Sequence, residues 1–246
     1  MSERFRRMEM MIGAEGLARL QAACVTVVGL GAVGSYATEG LARAGIGRLR
    51  LVDHDFVRES NINRQLYALT STLGRPKIEV AAERVRDINP DCQVDTVRTF
   101  VHVETMDAVF AGEPDVVLDA IDACTPKLEL ICAAMERRVP LVSSMGAALR
   151  ADTTRIKVGP LGQTTGCPLA RQLRQGLRRR GVEPSVRCVY SDEPVDTRRV
   201  FPPEELAAGE LERGRRRRAL GSLPTVTGIF GLTLANEAIR LLAGLP

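Results

Sequence analysis

An α/β fold, built on a mostly parallel sheet with helices on both faces, is the architecture this sequence predicts. Two observations lead there. Short β-branched apolar runs alternate with stretches of helical periodicity through residues 1–158, the order that strand–helix–strand crossovers produce. A Gly-x-Gly-x-x-Gly turn also sits between the first apolar run and the first helical stretch. The 246 residues are 45% hydrophobic and 26% charged, enough for one sizeable core, and this excludes wholesale disorder.

The elements follow in order. Cys24 to Val28 is a β-branched run stopped by Gly29, and Ala32 to Ala44 has helical character ended by Gly45-Ile46-Gly47. Arg48 to Asp53 alternates with period two and predicts a second strand. Lys77 to Asn89 carries apolar residues at 78, 81, 82, 85 and 88, a helical stripe closed by Asn89-Pro90. Strands are expected at Gln93–Phe100, Asp115–Ala120, Val139–Ser144 and Thr153–Val158, with a helix over Pro126–Arg137. Beyond Gly159 the pattern loosens into Gly, Pro and Arg. A basic helix is expected at 168–180, a strand at Val186–Tyr190 and a last helix at Thr225–Ala243, whose Gly228 and Gly231 would permit close packing. One domain spans 1–246 on this reading. Its parts are a core at 1–158, an irregular basic insertion or crossover region at 159–222 and a C-terminal helix at 223–246.

Composition narrows the classes. Met1-Ser2-Glu3-Arg4 leads into charge, so no secretory leader is expected, and the long uncharged stretch Ala219 to Asn236 is interrupted by Pro224 and glycines. A cytoplasmic protein is the expectation. Six cysteines include no Cys-x-x-Cys pair, which argues against structural zinc and against a disulfide framework. Residues 1–149 carry a net −3 and residues 150–246 a net +7, the surplus being arginine at 171–180 and 213–218.

Gly29-Leu30-Gly31-Ala32-Val33-Gly34 has the strand–turn–helix setting in which backbone N–H groups and a helix N-terminus hold phosphate, so a Rossmann-like nucleotide site is expected. Asp53 ends the second strand, where a carboxylate can accept from a ribose hydroxyl. By this motif alone an NAD-binding oxidoreductase is favoured. The residues that follow shift the reading towards ATP. Asp53-His54-Asp55, Asn61-Ile62-Asn63-Arg64-Gln65, Gly74-Arg75-Pro76-Lys77 and Leu118-Asp119-Ala120-Ile121-Asp122, with Arg4-Phe5-Arg6-Arg7 near the start, together resemble the ThiF/MoeB superfamily of adenylating enzymes.

The resemblance implies a set of roles. Gly29, Gly31 and Gly34 would cradle phosphate, and Asp53 would hold the ribose. Asn61, Arg64 and Lys77 would contact phosphates, with Asp55 and Gln65 supporting them. Asp122 would hold Mg²⁺, and Arg7 would be donated across a homodimer interface. His54 has no evident partner. Several further segments are similar to the branch that dehydrates threonylcarbamoyladenosine in tRNA: Asp119-Ala120-Ile121-Asp122 with Pro126-Lys127, Met145-Gly146-Ala147, Asp152-Thr153-Thr154-Arg155, Cys167-Pro168-Leu169-Ala170 and Val189-Tyr190-Ser191-Asp192-Glu193-Pro194. That branch activates the substrate carboxylate with ATP, and the nearby carbamoyl nitrogen then displaces AMP, with net loss of water. An RNA substrate implies a basic grip, for which Arg171, Arg174 and Arg178 share a helical face; the run Arg215 to Arg218 is a weaker candidate. No DNA partner is expected. Cys167 is a candidate thiol, Cys124 is expected to line the site, and a sulfur-relay protein is a candidate partner. The other branch, adenylyltransferases that charge a sulfur-carrier or ubiquitin-like protein, usually carries the cysteine pairs this chain lacks.

Overall fold

A computed structural model describes residues 3–195, 200–203 and 218–245. Seven strands form one sheet in the order β3-β2-β1-β4-β5-β7-β6. They are β1 (Cys24–Val28), β2 (Arg48–Val52), β3 (Gln93–Val97), β4 (Val116–Asp119), β5 (Leu141–Ser144), β6 (Ile156–Pro160) and β7 (Arg187–Ser191). All neighbours run parallel except β6, which pairs antiparallel with β7 at the edge. Among the described residues seven α-helices accompany them: α1 (Arg6–Ala22), α2 (Gly34–Ala44), α3 (Lys77–Ile88), α4 (Met106–Phe110), α5 (Cys124–Glu136), α6 (Pro168–Arg179) and α7 (Pro224–Ala243). A separate antiparallel ribbon joins β8 (Val200–Pro203) to β9 (Arg218–Leu220).

Alternate strand residues feed two cores, one on each face, as a period of two requires. Val25, Val27, Leu49, Leu51, Val116 and Leu118 point into the layer of α2, α3 and α7. Val28, Val52, Val117 and Leu141 point into the layer of α4, α5 and α6. Burial on both faces explains why β1 reads as a β-branched run without polar–apolar alternation, interrupted only by the buried Thr26.

Three features differ from the sequence expectation. The 159–222 span, read as an insertion, supplies β7 between β5 and β6, and Cys188 and Val189 there are wholly buried. The sixth strand starts at Ile156 because Asp152 accepts a bond from the Thr154 N–H (2.9 Å) and turns Thr153–Arg155 into a single 3₁₀ turn. Helix α1 was not foreseen: Gly13 (φ 75°) breaks it, and its buried residues are just Gly16, Leu17 and Leu20, too few for a clear period.

Helix α7 is long and apolar enough to cross a membrane by length and composition. Val226, Phe230, Leu234 and Ala238 are nevertheless wholly buried in the core. Its Gly231 meets α2 so closely that a Cβ would lie 2.3 Å from the Val33 carbonyl oxygen. The close packing expected of this helix is therefore made on α2, directly behind the glycine turn.

Candidate adenylation site

Strand order reverses between β1 and β4: the chain builds outward from β1 through β2 to β3, then crosses to β4 on the other side. In open parallel sheets ligands bind at that crevice, beyond the carboxyl ends of the strands. The glycine turn leaves β1 there. Gly29 has φ 87°, and a Cβ on it would sit 3.0 Å from the Ala120 carbonyl oxygen. A Cβ on Gly34 would sit 1.7 Å from the Gly29 carbonyl oxygen. These two glycines let the turn close against the protein itself. Gly31 is different, since a Cβ there would meet nothing nearer than Gln65 Nε2 at 3.7 Å. Its open side is the cradle that a phosphate group fits.

Asp53 is buried at the end of β2 and accepts from two main-chain donors, Leu30 N to Oδ2 (2.6 Å) and Asp55 N to Oδ1 (2.8 Å). One carboxylate thus clamps the glycine turn to the next strand. The segment after it folds back: Val57 N donates to Arg75 O (2.8 Å) and Lys77 N to Asp55 O (3.0 Å). This brings Lys77 Nζ to 2.9 Å from Asp55 Oδ2, with the lysine nearly buried and the carboxylate half-exposed. Burial pushes the Asp55 carboxyl up, but the Lys77 ammonium, His54 and Arg58 together outweigh it and hold it below the ordinary carboxylate value.

Asn61 is buried and its Oδ1 accepts from Arg58 N (3.2 Å), capping the turn that carries Arg64 and Gln65. Leu66 N donates to Ser35 Oγ (3.2 Å), tying that turn to the start of α2. The Arg64 guanidinium is bonded to Ser60 O and Asn63 Oδ1, both 2.8 Å, so a phosphate would have to take it from its own loop. Asp122 is exposed just beyond β4. A strand-end carboxylate of this kind suits Mg²⁺, which takes one or two carboxylates and fills its shell with phosphate oxygens and water.

Other expected residues stand apart. Arg7 is exposed on α1 beside buried Phe5, whose ring packs against Gly45. Cys167 is buried and caps α6, with Sγ accepting from Ala170 N at 3.5 Å. Arg174 does not belong to a free basic face as expected: its Nη1 is bonded to Thr164, including O at 2.9 Å, because α6 turns that side towards the 161–164 loop. Arg171 and Arg178 are exposed. Of the run Arg215 to Arg218, residues 215–217 lie outside the described residues.

Two pairings in the site are not assigned by the sequence, although Asp119 and Lys127 both lie in segments that carry the resemblance. Lys127 Nζ lies 2.7 Å from Asp119 Oδ2, both side chains wholly buried, and Ser143 Oγ donates to the same oxygen (2.7 Å). Asp119 Oδ1 accepts from Ile121 N (3.1 Å), which sets the turn leading to Asp122. The available signal was a lysine in the first turn of an apolar helix, in a chain with few lysines. His54, expected to have no partner, is 3.2 Å from Asp55 Oδ1 and meets the Phe100 ring edge-on at 5.1 Å. Asp53, His54 and Asp55 offer ligand atoms within 4.8 Å of one another. Main-chain donors engage Asp53, while Lys77 and His54 engage Asp55, so the group forms an ion-pair and hydrogen-bond network in which Asp53 keeps lone pairs for further donors.

The ThiF family pattern matches residues 5–246. The chain is 38% identical over 239 residues to the tRNA threonylcarbamoyladenosine dehydratase of Bacillus subtilis (strain 168), covering 97% of this chain and 94% of that protein. It is 33% identical over 229 residues to the molybdopterin-synthase adenylyltransferase of Salmonella typhimurium (strain LT2), covering 93% and 76%. Among solved structures, the E. coli dehydratase TcdA in complex with ATP superposes with a TM-score of 0.85 at 34% identity, over 98% of this chain and 94% of that one.

Proposed function

The chain belongs to the ThiF family, and we propose that it is an ATP-dependent enzyme that dehydrates N6-threonylcarbamoyladenosine in tRNA through an acyl-adenylate. The observation that carries this reading is the meeting at one strand-order reversal of an open glycine cradle, a buried Asp53 and the Lys77–Asp55 pair. A carboxylate oxygen is a poor leaving group. Transferred onto the α-phosphate of ATP with loss of pyrophosphate, it leaves as part of AMP when the carbamoyl nitrogen attacks. Because that nitrogen belongs to the same substituent, its effective concentration is high and no enzyme nucleophile is required.

The protein's part is to position and to neutralise. The main-chain N–H groups of the glycine turn and the α2 N-terminus face the phosphates, and Asp53 accepts from the ribose. Lys77 supplies fixed positive charge, with Asp55 holding its ammonium in place until phosphate competes for it. Arg64 exchanges its loop carbonyl for a phosphate oxygen, with Asn61 and Gln65 shaping the turn that presents it. Asp122 would hold Mg²⁺, which when bound offsets charge building on the triphosphate. The thiols are placed for packing: Cys167 is buried, and burial pushes Cys124 up and Cys188 up to about 12.

Two further points belong to the same proposal. The active form is a cytoplasmic homodimer in which Arg7 of one subunit serves the partner's nucleotide. Met10 and Met11, 80% and 75% exposed on the same helix, support a partnered α1. The test is mass spectrometry of nucleosides from tRNA incubated with the protein and ATP. The modified adenosine is expected to lose the mass of one water, with AMP formed in equal amount. No mass loss in tRNA that carries the threonylcarbamoyl group rejects the proposal.

A further inference from the structure

We infer that Arg98 and Phe56 form a stacking platform for a nucleobase of the RNA substrate, set beside the mouth of the nucleotide crevice. This rests on the tRNA reading above and adds a recognition surface to it. The Arg98 guanidinium lies over the Phe56 ring, 4.4 Å from its centroid, and both side chains are exposed. Arg98 follows β3 and makes no ion pair among the described residues. Nearby arginines are otherwise engaged: Arg75 pairs with Glu83 and Arg64 is bonded within its own loop. A cation–ring contact at an exposed site contributes little to stability, so packing alone does not account for an aromatic ring held open to solvent there.

The location fits an RNA that reaches inward. Phe56 pairs through its backbone with Pro76, next to Lys77, and follows Asp55 directly. Thus the platform adjoins the side chains that face the nucleotide. A modified adenosine presented to the phosphates must be splayed out of its strand, which leaves a neighbouring base unstacked. Single-stranded RNA is held by stacking such bases on aromatic faces and on arginine planes. The ring holds the guanidinium 4.4 Å from its centroid, and on this proposal the base stacks on the outer side of the guanidinium. The expected basic face on α6 lacks this readiness at Arg174, which is bonded to Thr164.

Steady-state kinetics and direct filter binding of tRNA bearing the threonylcarbamoyl group test this with Arg98→Ala, Arg98→Lys and Phe56→Leu. Arg98→Ala is expected to raise both KM and Kd for tRNA about fivefold or more, while KM for ATP and the melting temperature stay at wild-type values. Phe56→Leu is expected to act in the same direction. Arg98→Lys, which keeps the charge and loses the plane, is expected to resemble the alanine variant. A lysine variant that binds like wild type overturns stacking in favour of a phosphate contact. A rise in KM for ATP overturns the assignment in favour of the ATP adenine, and unchanged tRNA binding overturns it outright. Failure of the dehydratase reading is distinguishable: wild-type protein would form no cyclised nucleoside, while the binding comparison would still report on Arg98.

Discussion

The three glycines of the turn carry different burdens, and substitution separates them. Gly34→Ala drives a Cβ to 1.7 Å from a carbonyl oxygen and should destabilise the fold by at least about 2 kcal/mol, read by denaturant unfolding. Gly31→Ala makes only an ordinary van der Waals contact with Gln65 and should leave the melting temperature within about 4 °C of wild type while ATP affinity falls, read by titration calorimetry. Such a split distinguishes a phosphate cradle from a structural turn. Asp55 gives a pH signature. Its carboxyl is held low in the folded chain, so the stability it contributes is present above the unfolded value of about 3.9 and is lost as pH falls through the lower folded value. Wild-type unfolding midpoints should therefore fall below about pH 4 more steeply than those of Asp55→Asn. At this scale the sequence was legible wherever a motif places side chains by local spacing, as for Gly29, Asp53 and Lys77. It misread Arg174, which turns back onto Thr164 of the preceding loop, and His54, which meets the neighbouring Asp55 and the Phe100 ring beyond β3.

Strand β4 and helix α5 depend on a charge pair that periodicity does not reveal. Asp119 and Lys127 are both fully buried, 2.7 Å apart, and Ser143 of β5 completes the set. Removing one partner leaves an uncompensated buried charge, so Lys127→Met should cost about 3–5 kcal/mol in unfolding free energy. Replacing both partners with apolar residues should recover much of that loss and yet leave turnover impaired, because Asp119 also fixes the Ile121 amide that leads to Asp122. Stability and kcat measured on the single and double variants check both statements. Most strands were readable because β-branched runs report burial on two faces. The edge pairing was not readable: β6 and β7 meet across an intervening helix, and register between such segments is a property of the sheet. Helix α1 escaped for a simpler reason, since a helix that buries a narrow strip and breaks at Gly13 shows no strong period.

The whole molecule gathers the residues proposed to meet the nucleotide at one end of the sheet, while Arg7 stands on α1, which packs against α7. On the proposed homodimer, variants that are each inactive should complement one another. Mixing Arg7→Ala with Lys77→Ala subunits should restore about a quarter of wild-type activity per subunit, since half of randomly paired dimers are mixed and each holds one intact site. Strictly additive inactivity would place Arg7 outside the site. The central claim is that a carboxylate oxygen of the substrate becomes part of AMP, and oxygen labelling tests it most directly. Transfer RNA whose threonylcarbamoyl carboxylate carries heavy oxygen is incubated with the protein and ATP, and the nucleotide products are weighed. The account predicts AMP bearing one heavy oxygen, formed in step with the cyclised nucleoside. Unlabelled AMP, or ADP with the label in inorganic phosphate, would contradict it.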